Sequence, residues 1–276
     1  METADAIVLR SIDFSESSNV LTLFTRPFGK IRALAKGARR LKNPFESSLD
    51  VMARVCVTFI SKRGEQLDLL TEAKLIWRFR PIWNNFAGMH AGLYLLELLN
   101  ELTHDHDPNE RLFDLAVATL ERFAVGTNVC RTLLRAEWKL LERIGQFPSL
   151  RRCIECGTMI DENSRERVTV GLLDGGVLCR NCRAGHQPVV TVSADALRGL
   201  LVLAGNDREA WHTQPMPRGI LNEIRGLTNQ YMTHLIGKRP RMHDYLATMA
   251  RYDRPETLES THEPKRDTDV RNDDKP

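Results

Sequence analysis

Four cysteines in the middle of the chain form two closely spaced pairs, and thiolates spaced in this way bind soft metal ions. The pairs are Cys153-Ile154-Glu155-Cys156 and Cys179-Arg180-Asn181-Cys182, with 22 residues between them. Two intervening residues let both sulfurs of a pair turn toward one ion, and two pairs complete a tetrahedron of ligands. Gly157 follows the first pair, where a tight turn can aim backbone N–H groups at the sulfurs. The pattern predicts a structural zinc site formed by Cys153, Cys156, Cys179 and Cys182.

Other chemistries fit these cysteines less well. A disulfide framework is typical of secreted chains, and residues 1–5 are acidic and lack the apolar run of a signal peptide. A redox C-x-x-C motif does not require a second copy. A catalytic zinc needs an open coordination position, which four thiolates do not leave. The site is therefore predicted to stabilise the fold and to carry no reaction.

A second group of candidate residues is basic and lies nearer the N-terminus. The stretch from Arg26 to Lys42 contains seven Lys and Arg residues and no acid. Its last part, Lys36-Gly37-Ala38-Arg39-Arg40-Leu41-Lys42, follows a predicted strand, and cations grouped around a glycine can bind a phosphate backbone. We predict nucleic-acid contact here, and the alternative is a solvated charged loop. The predicted DNA-binding residues are Arg10, Arg32, Lys36, Arg39, Arg40 and Lys42.

No motif in the sequence predicts catalysis. The run His104-Asp105-His106-Asp107 contains metal-binding residue types, but a solvated interhelical loop is the favoured interpretation. Glu97, Glu101 and Glu137 lie on predicted helices without a phosphate-binding loop or nucleophile motif. We therefore expect a protein that is not an enzyme.

The second basic cluster, Lys238-Arg239-Pro240-Arg241, would either lengthen a DNA-binding track or interact with a helix C-terminus, and both interpretations stay open.

The composition is that of a chain with a sizeable core and no membrane span. Its 276 residues are 42% hydrophobic and carry a net charge of +3, which allows one to three domains. The apolar runs are too short to cross a bilayer. We expect a soluble, cytoplasmic protein, with Cys56 and Cys130 as core thiols.

Residues 1–80 are predicted to form an all-β domain. Short apolar alternating segments are separated by turn signals such as Arg26-Pro27-Phe28-Gly29 and Lys62-Arg63-Gly64-Glu65. Five short strands fit a small closed barrel, of which the OB-fold is the commonest five-stranded form, and an SH3-like barrel would give a similar pattern. The predicted strands cover residues 6–10, 20–25, 30–35, 52–61 and 67–73.

The rest of the chain is predicted to be helical around the cysteine module, so the fold class is α+β with several domains. The expected parts are a first helical segment at 81–150, a zinc-binding module at 151–188, a second helical segment at 189–252 and a disordered acidic tail at 253–276. Asp107 and Ser193 are predicted helix N-caps, and Pro217 is predicted to open a helix. Inside the module, Arg167–Leu173 and Val177-Leu178 are predicted to form a hairpin around Asp174-Gly175-Gly176. The other predicted helices cover residues 84–103, 128–144 and 242–252.

Several of these segments resemble the RecO family of recombination mediators. The resemblance is carried by Ala6-Ile7-Val8-Leu9-Arg10, by the run from Glu16 to Thr25, by Ala35-Lys36-Gly37-Ala38-Arg39-Arg40, by Gly145-Gln146-Phe147-Pro148 and by the two cysteine pairs. It extends over most of residues 5–250. It implies an N-terminal OB-fold, a helical body and a zinc module embedded in that body. By position, Lys36, Arg39 and Arg40 match the basic DNA-contacting segment of the family.

The resemblance also implies a function in DNA repair. It implies a non-enzymatic protein of the RecF pathway that binds single- and double-stranded DNA and anneals complementary strands. It further implies that the protein helps RecR, with RecF, to load RecA onto strands covered by single-stranded-DNA-binding protein. The expected location is the cytoplasm, with association to the nucleoid when the protein is active. The alternative is a zinc-ribbon adaptor of the protein-interaction or transcription type, whose barrel docks protein and not DNA.

Overall fold

The predicted site residues lie in the N-terminal barrel and in the cysteine module. A computed structural model describes residues 1–40, 45, 49–62, 66–80, 85–126, 128–161, 166–207 and 209–245. The predicted DNA-binding residue Lys42 and the predicted disordered tail at 253–276 lie outside the described residues, as does most of the predicted helix at 242–252.

Five strands close into a barrel at the N-terminus, as the alternating sequence pattern predicts. In β3, for example, Ile31 and Ala33 point into the barrel while Arg32 points outward. The strand order is β1-β2-β3-β5-β4, β1 pairs with β4 to close the barrel, and β3 runs parallel to β5. The parallel pair separates this topology from an up-and-down meander and makes the barrel OB-like. The strands are β1 (Glu2–Asp13), β2 (Asn19–Thr25), β3 (Gly29–Ala35), β4 (Arg54–Ile60) and β5 (Asp68–Trp77).

The helical body follows the barrel and encloses the larger apolar core. Ser193 accepts a hydrogen bond from the Ala196 N–H, and Pro217 directly precedes the first residue of a helix, as predicted. No helix among the described residues is long and apolar enough to cross a membrane. The helices are α1 (Phe86–Leu102), α2 (Glu110–Val125), α3 (Val129–Arg143), α4 (Ala194–Ala204), α5 (Ala210–Thr213) and α6 (Arg218–Ile236).

The prediction of Asp107 as the N-cap of α2 is wrong. The cap is Asn109, whose side chain accepts a hydrogen bond from the Leu112 N–H at 3.0 Å, and the helix begins at Glu110. Asp107 is unavailable to the helix because its backbone packs against Gly29 of the barrel. The neighbouring His106 N–H donates to the Lys30 carbonyl at 2.8 Å, so the backbone of segment 104–107 is docked on β3. Residues 104–107 remain exposed between α1 and α2, as the prediction of a solvated interhelical loop requires.

The cysteine module contains a small sheet that shares the core of the helical body. The predicted hairpin is present, with β6 (Val168–Gly171) paired to β7 (Gly176–Leu178). A third strand, β8 (Val189–Val192), pairs with the other edge of β6 and was not predicted, since four residues give too short an alternation to recognise. Val170, Val177 and Val192 are buried in the same apolar cluster as the body helices, which anchors the module to that body.

The barrel and the helical body are joined by apolar and polar contacts. The rings of Phe24 on β2 and Phe113 on α2 lie 6.1 Å apart, centre to centre. The Lys30 ammonium donates to the carbonyls of Asn100 and Thr103, at 2.7 and 2.6 Å, and thereby satisfies acceptors at the C-terminus of α1. Lys30 is therefore a residue of the joint between the two parts.

Candidate metal centre and nucleic-acid interface

The four predicted cysteine ligands converge on one point. Their Sγ atoms all lie within 4.8 Å of one another, and the sulfurs of Cys156 and Cys179 are 3.7 Å apart. Sulfurs bound tetrahedrally to zinc at about 2.3 Å are about 3.8 Å from each other. All four cysteines are free of disulfides. The cluster is thus a possible metal site whose donor atoms and spacing are compatible with zinc.

Backbone hydrogen bonds form the two turns that present these sulfurs. Gly157 has a left-handed φ of +72°, and its N–H donates to the Cys153 carbonyl at 2.9 Å, which closes the first turn. The N–H of Cys182 donates to the Cys179 carbonyl at 3.1 Å and closes the second. The Ile154 N–H donates to the Val177 carbonyl at 3.1 Å. This last bond ties the first turn to β7, so the hairpin brings the two pairs together.

Hydrogen bonds and neighbouring sulfurs set the protonation of the cluster. Thr158 Oγ1 lies 3.2 Å from Cys156 Sγ, and the hydrogen bond from this hydroxyl to the thiolate lowers the pKa of Cys156 to about 6. The neighbouring sulfur of Cys179 raises the pKa of Cys182 to about 12. A divalent cation favours the thiolate form of every ligand, so binding one would release protons.

Lys36, Arg39 and Arg40 are exposed in one turn that directly follows β3. Gly37 adopts a left-handed φ of +75°, and the Arg40 N–H donates to its carbonyl at 3.0 Å. The Arg39 N–H donates to the carbonyl of Ser17 at 3.2 Å, which holds the turn against the loop between β1 and β2. The sequence predicted that these three cations lie together, and the structure shows that they lie beside the loop between β1 and β2.

Arg10 and Arg32 lie apart from that turn but on the same barrel wall. The Cα of Thr22 pairs with Arg10 on β1 and with Arg32 on β3. Paired residues of neighbouring strands point to the same face, so the two exposed arginines flank Thr22 on the outer surface. The register therefore places both predicted residues in one row across three strands.

Acids that are distant in sequence lie beside the basic stretch, which the local sequence did not predict. Asp105, from the loop after α1, is 3.7 Å from the Lys30 ammonium and 3.4 Å from the Arg32 guanidinium. Lys30 is only 12% exposed, so it is not available to a ligand. Arg32 remains 54% exposed.

Two further arginines of the basic stretch are paired. Arg26 bonds to Asp114 at 3.0 Å and to Glu110 at 2.8 Å, and the hydrogen bond from Arg26 lowers the pKa of Asp114. Arg39 is 2.9 Å from Asp13, the last residue of β1. Within the described part of the chain Lys36 forms no ion pair. The basic stretch is thus divided into joint residues and surface residues by the tertiary fold.

The second basic cluster is engaged by α1. Lys238 is 2.8 Å from Glu101, and the Glu97 carboxylate accepts hydrogen bonds from the backbone N–H groups of Arg241 and Met242 at 2.7 and 2.9 Å. These contacts fasten the segment after α6 along α1. Glu97 and Glu101 are therefore structural partners in this structure, and not a free pair of carboxylates.

Glu137, the third candidate glutamate, is buried in the helical body. Arg225 on α6 donates to Glu137 on α3 at 2.8 Å, and Glu137 is fully buried. Burial raises the pKa of Glu137, while the Arg225 guanidinium opposes that change. The pair links two core helices and has no access to a substrate.

Comparison with protein-family models matches both parts of the chain. The family described as "Recombination protein O N terminal" matches residues 1–79, and "Recombination protein O C terminal" matches residues 84–244. A protein named DNA repair protein RecO from Rhodopirellula baltica is 40% identical over 263 residues, which cover 87% of this chain and 97% of the relative. The protein of that name from Myxococcus xanthus is 31% identical over 243 residues, covering 88% and 96%. The one from Salinibacter ruber is 30% identical over 230 residues, covering 83% and 86%.

Proposed function

The chain belongs to the RecO family of DNA repair proteins, and on that premise we propose that it is a DNA-binding recombination mediator without catalytic chemistry. It binds single- and double-stranded DNA and anneals complementary strands. It helps RecR and RecF to load RecA onto strands covered by single-stranded-DNA-binding protein, as the family resemblance implies. The observation that carries the DNA-binding part is the single exposed turn that presents Lys36, Arg39 and Arg40 at the end of β3.

The charge arrangement of the barrel supports contact with phosphates. The row of Arg10 and Arg32 and the turn from Lys36 to Arg40 lie on one wall, built from β1, β2 and β3. Annealing requires cations that neutralise two phosphate backbones while base edges stay free to pair. The acids beside Arg32 and Arg39 are themselves exposed, and exposed ion pairs contribute little free energy, so phosphates can replace them.

The cysteine cluster completes the proposal as a structural zinc site. Four thiolates saturate a tetrahedral ion and leave no position for water or substrate. Cys153, Cys156, Cys179 and Cys182 would hold the ion, which would stabilise the two turns and the edge of β7. Zinc in this position supports the fold of the helical body and takes no part in contacts with DNA.

The DNA-binding part is tested by reversing charge in the turn. Lys36→Glu with Arg39→Glu should weaken binding of labelled single strands, measured by fluorescence anisotropy across a salt series, and should slow annealing in parallel. Each lost phosphate contact lowers the log–log salt slope by about 0.7 for single strands, so a fall of about 1 to 1.5 is expected. The loss should be independent of base sequence, because phosphate contacts carry no sequence code.

A matched control makes the same change in net charge elsewhere. Lys74→Glu with Arg111→Glu alters two exposed cations that lie outside the proposed face. This control should bind and anneal like the unmodified protein. If the Lys36 and Arg39 variant keeps its salt slope and its annealing rate, the turn is a solvated loop. The alternative of a barrel that docks protein would then be favoured.

A further inference from the structure

The outer wall of the barrel carries an apolar row between its two groups of cations. Ile12 on β1, Val20 on β2 and Leu34 on β3 are paired in register, so their side chains lie side by side on one face. They are two residues along from Arg10, Thr22 and Arg32, and alternate residues of a strand share a face. Ile12 is 43% exposed, and Val20 and Leu34 are half-buried.

An exposed aromatic ring stands at the end of this row. Phe14 is 64% exposed, two residues beyond Ile12, at the start of the loop between β1 and β2. Its N–H donates to the Ser18 carbonyl at 2.9 Å, and the Ser15 N–H donates to the same carbonyl at 3.2 Å, which gives the loop a tight turn. The ring has no aromatic partner among the described residues. Burial in the barrel core therefore does not explain why an aromatic residue is placed here.

The same loop is joined to the basic turn. Asp13, the residue before Phe14, pairs with Arg39 at 2.9 Å, and the Ser17 carbonyl accepts the Arg39 N–H at 3.2 Å. The loop that carries Phe14 and the turn that carries Lys36 are thus neighbours across β2. Successive alternate residues on a strand are about 7 Å apart, so the arginine row and the apolar row follow one another along the strands. The loop with Phe14 and the turn with Lys36 come next, at the ends of β1 and β3.

We propose that this face is a platform for single-stranded DNA in which bases contact the Ile12, Val20 and Leu34 row and stack on Phe14 while the cations on either side bind phosphates. A duplex keeps its base faces stacked inside, so only a single strand can offer both phosphates and free bases to such a face. The face of β2 and β3 and the loop between β1 and β2 are positions that OB-like barrels offer to oligonucleotides. The inference rests on the proposed DNA-binding function and adds to it the part of the nucleotide that Phe14 contacts.

The test separates base contacts from phosphate contacts by the choice of strand. Binding is measured by anisotropy with a labelled oligothymidine and with a strand of equal length made of abasic nucleotides. Phe14→Ala should weaken oligothymidine binding about five- to hundredfold, since base–aromatic stacking has that effect in other single-strand binders. Binding of the abasic strand and the salt slope should stay unchanged. Phe14→Trp should retain the affinity for oligothymidine, because the indole ring also stacks.

Controls distinguish failure of this inference from failure of the DNA-binding proposal. Leu173→Ala removes a side chain of similar exposure, 65%, from the hairpin of the cysteine module and should change neither affinity. Lys36→Glu with Arg39→Glu should weaken both strands alike. If Phe14→Ala weakens both strands equally, or neither, the stacking role is wrong while DNA binding stands. If the unmodified protein binds neither strand, both proposals are wrong, and the alternative of a barrel that docks protein is then favoured.

Discussion

The backbones of Gly29 and Asp107 are in direct contact. They are so close that a Cβ added to Gly29 would lie 2.2 Å from the Asp107 carbonyl oxygen. Gly29 also has a left-handed φ of +69°, which residues with a Cβ rarely adopt. The contact lets the segment before α2 lie flat on β3, where Lys30 binds the carbonyls at the end of α1. Main-chain atoms of the barrel and of the segment before α2 therefore touch at this point of the joint, and glycine is required here.

Gly29→Ala should destabilise the protein more than a glycine substitution that lacks the contact. The left-handed backbone costs a residue with a Cβ about 1 to 2 kcal/mol, and the overlap with Asp107 adds about 1 to 3 kcal/mol. Gly237 is the matched control, with φ of +76° and open space where the Cβ would lie. The free energy of unfolding is measured in urea. Equal losses for Gly29→Ala and Gly237→Ala would contradict the backbone contact.

The purified chain should hold one zinc ion per molecule. Cys153→Ser with Cys156→Ser should abolish metal binding and lower the melting temperature, because the free energy of binding a structural metal is part of the free energy of folding. Metal content is measured by elemental analysis of freshly reduced protein. Cys56→Ser is the control, since Cys56 lies on β4 outside the cluster and should leave the zinc content unchanged. Substoichiometric zinc in the unmodified protein, together with an unchanged melting temperature of the double variant, would argue against the site.

Asp13→Asn should strengthen binding to DNA. Asp13 pairs with Arg39, so removing its charge frees that guanidinium for a phosphate and removes a like charge from the path of the strand. We expect a gain of roughly two- to fivefold at low salt, corresponding to less than about 1 kcal/mol for an exposed pair. Asp195→Asn is the control, because Asp195 pairs with Arg198 on α4, outside the proposed face. The inference that Arg39 faces DNA would be wrong if Asp13→Asn gave no gain.

Glu223 should make the stability of the helical body depend on pH. It accepts hydrogen bonds from the Ser193 N–H at 2.8 Å and the Ser193 hydroxyl at 2.7 Å, and these bonds lower the pKa of Glu223. A carboxyl whose folded pKa lies below its unfolded pKa contributes stability above the unfolded value, about 4.3, and the contribution is lost as the pH falls through the folded value. Glu223→Gln should therefore cost about 1 kcal/mol at pH 7.

The difference between Glu223→Gln and the unmodified protein should shrink as the pH falls below about 4.3 and through the lower folded pKa, because the native carboxyl then protonates as well. Urea unfolding at a series of pH values measures it. Glu121→Gln changes an exposed glutamate on α2 and should have no such effect. A difference for Glu223→Gln that does not vary with pH would show that the charge of Glu223 is not what supports the Ser193 cap.

Local spacing in the sequence predicted most of the elements and the cluster of four cysteines. Short strand-like segments separated by turn signals predicted the five barrel strands, and the two C-x-x-C pairs around Gly175-Gly176 predicted both the hairpin and the sulfur cluster. These features depend on residues a few positions apart, whose relative directions follow from the period of a strand or a turn. The basic turn at Lys36 was predicted for the same reason.

Tertiary structure alone decided which of the basic residues face outward. The stretch from Arg26 to Lys42 contains no acid, yet two acids that are distant in sequence pair with it. Asp105 pairs with Lys30 and Arg32, which are 73 or more positions before it, and Asp114 pairs with Arg26, which is 88 positions before it. Because residues 104–107 are docked on β3, Asn109 and not Asp107 is the N-cap of α2. Likewise, the apolar row from Ile12 to Leu34 exists only because the strands pair in one register. Contacts of this kind depend on which distant segments pack together, and free energies of long-range packing are not encoded in any local window of residues.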